Sequence, residues 1–433
     1  MFGVYNKPII DKCIISFSHN RYESRSLADK FALEKARREI AQKKKGVSHL
    51  ILRAEDDAID RLKFLFLVRG IPIMCYALGN LLVSSLKEIV VVGSTEVKII
   101  LEHFLDVVDT RGKKVMFVHE DPDNLMLINT MILGRNQLSL AANELVLFQP
   151  GDLPFMYDLE NVVRDKDLKN HNLILWLNSR QAMFPHFKEN PKSEFVGRNY
   201  HYRVIAEKAK QLHDVKEPNV YPINLSAIEE DIIELLHQTR KDGKILNAGL
   251  SKALRSPGRM LMLLPVLAKH FRRFDSDLKQ FRLDDDFKFG AHLKNFNQGV
   301  SILLDTPFLA KFNDDPAFVS DVDALEDWED FESLVHFAEQ RHGSDGLSII
   351  HPFGKELLRF KKQAMPKLEK LIPMYADFKG YLNQLYRSME MQYVPFDEAG
   401  QYDTPNLHTP QIETAYNWYA DKTRQRDAGL SVA

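Results

Sequence analysis

Short, largely apolar runs alternate with longer amphipathic stretches from residue 48 onward. The apolar runs, of which EIVVVG at 88–93 is typical, show no polar alternation and end at Gly, Pro, Asp or Asn. Such runs favour strands of a parallel sheet that helices cover on both faces. The predicted strands are Leu50–Leu52, Glu88–Val92, Lys114–Val118, Leu145–Phe148 and Leu173–Leu177, with helical patterns at 70–86, 95–108 and 122–139. The sequence therefore predicts an α/β domain with a doubly wound, mostly parallel sheet, whose ligands bind beyond the carboxyl ends of the strands.

Other stretches flank or interrupt this pattern. Residues 26–45 are rich in helix formers, so 1–47 is predicted to be a helical N-terminal extension to a domain at 48–335. A helical insertion is predicted at 226–298, and strand-like runs follow at 299 and 317. In the remaining segment, 336–433, we expect a helix over 349–390 and an extended tail over 391–433, which has few apolar clusters.

Composition excludes several classes of protein. The 433 residues are 45% hydrophobic and 27% charged, which is an ordinary globular balance. With 58 Lys and Arg against 60 Asp and Glu, the net charge of −2 provides no field for non-specific nucleic-acid binding. Two cysteines, Cys13 and Cys75, cannot form a disulfide framework or a structural zinc site by themselves. No apolar run approaches the length of a membrane span, so we expect a cytoplasmic protein without a signal peptide.

Three separated segments carry residues suited to phosphate chemistry. Lys63 follows a polar loop after the predicted first strand, where its ammonium can reach an anion held by that loop. Asp152 follows Gly151 at the end of the strand LVLFQ, and Mg²⁺ typically takes one or two protein carboxylates. Asp321 and Asp323 lie two apart in a strand-like run, so they share a face and offer a second carboxylate.

These segments together resemble a known family. The run K-x-L-x-x-V-x-G-x-P at 63–72, PGDLPF at 150–155 and VDALEDWEDFE at 322–332 are similar to motifs of the nucleotidyltransferases of the molybdenum-cofactor and sugar-phosphate type. The resemblance covers roughly residues 48–335 and implies a GT-A-like, Rossmann-related fold. It also implies transfer of a nucleotidyl group from an NTP to a phosphorylated acceptor, such as a sugar phosphate, with Mg²⁺ and release of pyrophosphate.

The resemblance assigns roles to individual residues. It places Lys63 on the triphosphate as the catalytic residue, and it makes Asp152 and Asp323 the Mg²⁺ ligands. Asn219 would face the acceptor. The expected nucleotide-binding positions, besides Lys63, are Arg53, Ala54, Glu55 and Gly151.

The predicted signature loop departs from the family pattern. Where glycines would let backbone N–H groups approach the phosphates, this chain has Arg53 to Ala58, which include three carboxylates that would repel a triphosphate. A catalytically silent relative that binds a nucleotide or sugar nucleotide in assembly or regulation is therefore an alternative function. A GT-A glycosyltransferase is another, since Asp321-Val322-Asp323 is a D-x-D sequence. Asp152 and Asp323 also suit helix caps, and Asn219 a turn.

Two further features concern partners. The basic residues Arg240, Lys241, Lys244, Lys252, Arg255 and Arg259 fit a solvated helix face, a phosphate site or an anionic lipid surface, the last implying peripheral association. The aromatic tail with Tyr416, Trp418 and Tyr419 suits packing against a partner chain, as in a homo-oligomer. The expected partners are an NTP and a phosphorylated small molecule, and no nucleic acid.

Overall fold

The computed structural model describes residues 9–18, 63–121, 127–155, 159–179, 202–206, 211–216, 219–230, 256–278, 289–313, 315–322, 325–382 and 410–427. The strands in these ranges are β1 (Lys12–Ser16), β2 (Leu67–Val68), β3 (Ile71–Pro72), β4 (Glu88–Gly93), β5 (Lys114–His119), β6 (Val146–Pro150), β7 (Leu173–Ser179), β8 (Tyr202–Ala206), β9 (Gln211–Lys216), β10 (Tyr221–Ile223), β11 (Phe289–His292) and β12 (Phe308–Asn313).

Helices precede, separate and follow these strands. They are α1 (Ile73–Val83), α2 (Thr95–Leu105), α3 (Leu127–Leu138), α4 (Leu159–Val163), α5 (Pro257–Leu278), α6 (Leu293–Leu304), α7 (Leu325–His342), α8 (Gly346–Ile350), α9 (Gly354–Gln363), α10 (Met365–Leu371), α11 (Pro373–Ala376) and α12 (Pro410–Asp427). Single 3₁₀ turns occur at Lys63–Leu65, Lys166–Lys169, Pro316–Val319 and Gly343–Asp345. None of the described helices is long and apolar enough to cross a bilayer.

The main sheet is mostly parallel, as predicted. Its central strands follow the order β5, β4, β1, β6, β10, β7 and β12, and only β10 runs antiparallel to its neighbours. Strand β9 also pairs antiparallel with β7, and β8 and β11 extend the sheet beyond β9. The carboxyl ends of β1, β6, β7 and β12 therefore meet at one edge of the sheet, where an α/β fold binds its ligands.

Apolar residues fill both faces of the sheet, which explains why its strands lack polar alternation. On one face, residues such as Ile15 and Ile174 pack into the larger core with α1, α2, α7 and the C-terminal helices. On the other face, Ile14 and Phe148 pack into a second core with α3 and α6. The fold is thus an α/β structure with helices on both faces of the sheet.

The first strand of the sheet differs from the sequence expectation. The predicted strand Leu50–Leu52 lies outside the described residues, whereas β1 at Lys12–Ser16 sits between β4 and β6 at the middle of the parallel strands. The sheet therefore includes a segment of 1–47, which the sequence analysis assigned to a helical extension. The signal was weak because β1 contributes only five residues, KCIIS, of which the first and last are polar.

Three local expectations from sequence were wrong. The run at 299 lies in α6, where Leu293, Phe296, Val300 and Leu304 follow helical spacing, and the run at 317 forms a 3₁₀ turn. The stretch at 349–390 contains several short helices rather than one, since Pro352, Pro366 and Pro373 interrupt it. The tail expected to be extended contains α12, which packs on α7 and α8.

Candidate active site

The loop Pro150–Phe155 follows β6 at the carboxyl edge of the sheet, and close packing fixes its first turn. The backbone N–H of Gly151 donates to the carbonyl of Ser16 over 2.7 Å. A Cβ atom at position 151 would lie 2.1 Å from the ring of Phe17 and 2.9 Å from the Ser16 carbonyl. Only glycine fits here, so the structure gives Gly151 a packing role that the motif did not show.

Two other side chains hold the rest of this loop. The amide nitrogen of Asn80, on α1, donates to the carbonyls of Leu153 and Pro154 over 3.4 and 3.2 Å. His351 donates from Nε2 to the Pro154 carbonyl over 3.1 Å, because its Nδ1 accepts from the backbone N–H of Phe353. With these contacts the loop has little freedom to move, and its one carboxylate has a defined position.

Lys63 and Asp152, predicted independently from two motifs, form an ion pair. Nζ of Lys63 lies 2.7 Å from Oδ2 of Asp152, and the two side chains are 11% and 10% exposed. Oδ1 of Asp152 is buried and accepts no hydrogen bond in the described part of the structure. The pair thus combines an ammonium and an under-coordinated carboxylate oxygen at the edge where ligands bind.

The segment 315–322 leads into the motif at 322–332, and it contacts the loop Pro150–Phe155. The backbone N–H of Val322 donates to the carbonyl of Asp152 over 2.9 Å, and the amide of Asn178 at the end of β7 donates to the carbonyl of Asp315 over 2.7 Å. Asp323 itself lies outside the described residues, although it directly follows Val322. The backbone at 322 therefore runs beside Asp152, as a shared ligand set requires.

The Asp152 site fits a magnesium ion in part. Oδ1 of Asp152 is a buried oxygen without a donor, and Mg²⁺ binds through one or two carboxylates with phosphate oxygens and water. Among the described residues there is no group of three or more His, Cys, Asp or Glu side chains that could hold a metal ion. A single-carboxylate site completed by substrate is the arrangement that these residues support.

The other predicted residues have different outcomes. Asn219 lies between β9 and β10, and its backbone N–H contacts the carbonyl of Phe318 over 3.5 Å, within the segment that also carries Val322. Its Nδ2 is buried with no partner in the described ranges. Arg53, Ala54 and Glu55 lie outside the described residues, so their expected contact with the nucleotide stays a prediction.

A β-hairpin directly follows the 3₁₀ turn of Lys63, and the turn of this hairpin has an unusual backbone. The hairpin pairs β2 with β3, and its two turn residues, Arg69 and Gly70, have φ values of 48° and 77°. Positive φ at both positions is what the tight turns of two-residue hairpins need, but it is unfavourable for arginine. The contacts of Arg69 therefore matter for holding this turn.

Glu332, on α7, supplies those contacts. Its Oε2 accepts the backbone N–H of Arg69 over 2.6 Å, and its Oε1 lies 3.5 Å from a guanidinium nitrogen of Arg69. Glu339 accepts from the same guanidinium over 2.7 Å. Burial raises the pKa of Glu332 to about 7, although Arg69 acts in the opposite direction; Glu339 adds to the increase.

Sequence reasoning missed the residues that support the site. Asn80 is a lone amide in the otherwise apolar helix IMCYALGNLLV, and that contrast was a readable signal. Glu332 is the last residue of the motif at 322–332, but the resemblance to the family assigned no role to it. For His351, nothing in the sequence indicated a contact with Pro154, because 197 residues separate the two.

The fold and the site define an α/β protein with a lysine and an aspartate at the carboxyl edge of its sheet. Neither a scan against protein-family models nor a search of curated protein sequences gives a match.

Among solved structures, the chain is similar to a hypothetical transferase from Thermus thermophilus (14% identity, 74% of this chain and 99% of that one, TM-score 0.34). It is also similar to a 4-diphosphocytidyl-2C-methyl-D-erythritol synthase from Anaerococcus prevotii (9% identity, 76% and 98%, TM-score 0.34). A third similar structure is the inositol-1-phosphate CTP transferase from T. maritima (11%, 55% and 82%, TM-score 0.31). These values are too low to assign a family or an activity.

Proposed function

We propose that this protein is a nucleotidyltransferase that moves a nucleotidyl group from an NTP to a phosphorylated small molecule of the sugar-phosphate class, releasing pyrophosphate. The observation that carries the proposal is the buried ion pair between Lys63 and Asp152, two residues taken from separate motifs of one family resemblance. The location supports it too, since the pair lies at the carboxyl end of β6, beside β1.

The chemistry needs no nucleophilic side chain. An oxygen of the acceptor phosphate attacks the α-phosphorus of the NTP, the bond from that phosphorus to the bridging oxygen breaks, and pyrophosphate leaves with the electron pair. Negative charge builds up on the leaving group. The ammonium of Lys63, only 11% exposed, would stabilise that charge better than a solvated lysine, because water screens it less.

Asp152 would have a different role. Its Oδ1 is the oxygen open to a cation, while Oδ2 holds Lys63 in place. A Mg²⁺ ion bound by Asp152, with Asp323 as the second carboxylate, would neutralise phosphate charge and orient the reacting groups. Because the Asp152 carbonyl is bonded to Val322, a shift of either segment would disturb the other.

One observation favours a second function, a catalytically silent nucleotide- or sugar-nucleotide-binding protein. Residues 17–62, which separate β1 from Lys63, contain one glycine, Gly46. A phosphate-binding loop usually needs several glycines for the backbone to approach the phosphates. In this reading the Lys63–Asp152 pair would be mainly structural, as its burial also allows.

Isothermal titration calorimetry of each NTP with MgCl₂ tests the proposal. The variants are Lys63→Ala and Asp152→Ala, with Lys87→Ala as the matched control. Lys87 also pairs with an aspartate, Asp11, over 3.0 Å, but that pair is exposed. We expect one NTP to bind wild type and Lys87→Ala, and to bind both site variants at least about tenfold more weakly, as expected when a charge-assisted contact is lost.

A pyrophosphate-release assay against a panel of sugar phosphates then separates the two functions. Magnesium-dependent release with wild type, absent from Lys63→Ala, supports the transferase. NTP or sugar-nucleotide binding without release favours the silent relative. Transfer from a sugar nucleotide to an acceptor would instead indicate a glycosyltransferase.

A further inference from the structure

The hairpin that follows Lys63 is held mainly through its backbone. Four side chains from three helices bind backbone groups between residues 65 and 69, all within 3.0 Å. Tyr375 donates to the Leu65 carbonyl, Trp328 to the Leu67 carbonyl and Tyr76 to the Val68 carbonyl, while Glu332 accepts from the Arg69 N–H. Such anchoring fixes where the hairpin lies. Lys63 is joined to it by the 3₁₀ turn Lys63–Leu65, where the N–H of Phe66 donates to the Lys63 carbonyl over 3.3 Å.

Two of these anchors belong to the same helix. Trp328 and Glu332 are four residues apart on α7, so they lie on one face of it, where they bind β2 at Leu67 and the turn at Arg69. Trp328 is fully buried and Glu332 is 4% exposed. A buried carboxylate is costly unless it is paired, and Glu332 is paired with both the backbone N–H and the guanidinium of Arg69.

The same helix also starts beside the other half of the site. Helix α7 begins at Leu325, three residues after Val322, whose backbone N–H binds the Asp152 carbonyl. The helix that binds the hairpin thus begins three residues after the segment that contacts the loop of Asp152. A change in how α7 packs would therefore act on the Lys63 side of the pair through the hairpin.

We propose that Glu332 and Trp328 are positioning residues, which set the place of the Lys63 ammonium against Asp152 by anchoring the hairpin to α7. They do not touch the substrate. Glu332 fixes the backbone of Arg69 in its left-handed conformation, and Trp328 fixes Leu67 on the strand before it. The inference rests on the proposed function for its catalytic consequence, but the anchoring itself can be measured without turnover.

The variants separate the backbone anchor from the ion pair. Glu332→Ala removes the acceptor of the Arg69 N–H, whereas Glu332→Gln keeps an acceptor oxygen at nearly the same volume. Glu339→Ala is the matched control, because Glu339 sits on the same helix and binds only the Arg69 guanidinium. Trp328→Phe removes one hydrogen bond while keeping an aromatic ring, and it tests the anchoring if Glu332→Ala does not fold.

The first readout is steady-state kinetics with the NTP that calorimetry identifies. We expect Glu332→Ala and Trp328→Phe to lower kcat at least about tenfold with little change in KM, since misplaced catalytic groups cost rate more than binding. Glu332→Gln should stay within about threefold of wild type, and so should Glu339→Ala, because each keeps an acceptor for the backbone N–H of Arg69. Equal loss in Glu339→Ala would overturn the proposal, because the guanidinium ion pair would then be what matters.

The second readout is independent of activity. Reductive methylation of the intact protein, quantified at each lysine by mass spectrometry, measures how well Lys63 is protected by its pair with Asp152. Lys63 should react several-fold faster in Glu332→Ala or Trp328→Phe than in wild type, Glu332→Gln or Glu339→Ala. Unchanged protection in folded Glu332→Ala would overturn the positioning role, whereas a wild type that turns over no NTP would overturn only the proposed function.

Discussion

The ring of Tyr419, in the C-terminal helix α12, lies 5.2 Å from the ring of Phe155, three residues after Asp152. Phe155 also stacks on Phe331 of α7 at 5.1 Å with nearly parallel planes. The last described helix of the chain is therefore part of the packing behind the candidate active site. The aromatic tail that the sequence assigned to a partner chain is used, at Tyr416 and Tyr419, within this one.

Tyr419→Ala should destabilise the fold and weaken the site together. Tyr419 is 1% exposed, and emptying a buried aromatic position costs about 3 kcal/mol or more. Because the cavity would open against Phe155, we expect weaker NTP binding as well as a lower Tm. The measurements are thermal unfolding and calorimetry. Asn417→Ala, an exposed position on the same helix, is the control and should change neither; loss of stability with unchanged binding would disconnect α12 from the site.

Gly151→Ala should disrupt the loop of Asp152 more than its size suggests. The new methyl group would lie 2.1 Å from the Phe17 ring, so the loop or β1 must shift, at a cost of roughly 1–3 kcal/mol. The matched control is Gly258→Ala, in α5, where nothing lies within 4 Å of the new atom and alanine favours the helix. Urea unfolding measures both. Equal midpoints for the two variants would contradict the packing role of Gly151.

The sheet was largely predictable because its strands are buried on both faces. Runs such as 88–93 and 146–150 are apolar at nearly every position, and that is visible without any tertiary information. Strand β1 was not predicted, because it is short and its hydrogen-bond partners lie far along the chain. Helix α12 was readable in hindsight, since Ile412, Ala415, Tyr416 and Tyr419 follow helical spacing.

The two charged residues of the site were predictable, but of the residues that hold them only Asn80 stands out in the sequence. Lys63 and Asp152 stand out because motif and strand-end position both select them, and the structure joins them over 89 residues of sequence. His351 and Trp328 support the site through hydrogen bonds to backbone carbonyls, which every residue has whatever its side chain. Such contacts arise only from tertiary packing, so no local pattern could indicate them.

Stability should depend on pH through Glu332. Burial raises the pKa of this carboxyl from 4.5 to about 7, with Arg69 lowering it and Glu339 raising it. The folded state therefore binds more protons than the unfolded state between these values, and the stabilising effect present below about pH 4.5 is lost as the pH rises through 7.

Glu332→Gln removes this titration. Between pH 5 and pH 8 the free energy of unfolding of wild type should fall relative to that of the variant by up to about 3 kcal/mol. This is the free energy that corresponds to the pKa shift. Urea unfolding of both proteins at the two pH values measures the gain. Parallel behaviour of the two proteins across this range would show that Glu332 titrates normally in the folded state.

The ion pair of Lys63 and Asp152 should show strong coupling in a double-mutant cycle. Removing one partner leaves the other charge buried, so Lys63→Met and Asp152→Asn should each destabilise the protein by about 3 kcal/mol. The double variant should lose much less than the sum, with a coupling energy of about 3 kcal/mol or more, as close charge pairs can show. The exposed pair of Lys87 and Asp11 provides the control, with a coupling of at most about 1 kcal/mol.

The double variant also separates a catalytic pair from a structural one. Buried ion pairs replaced by uncharged groups often leave stability unchanged or increased, because two desolvated charges are removed at once. If Lys63→Met with Asp152→Asn is nearly as stable as wild type yet binds no NTP, the pair is kept for binding rather than for folding. If it is as unstable as the single variants, and wild type also binds no NTP, the pair serves the fold and the silent relative becomes the better description.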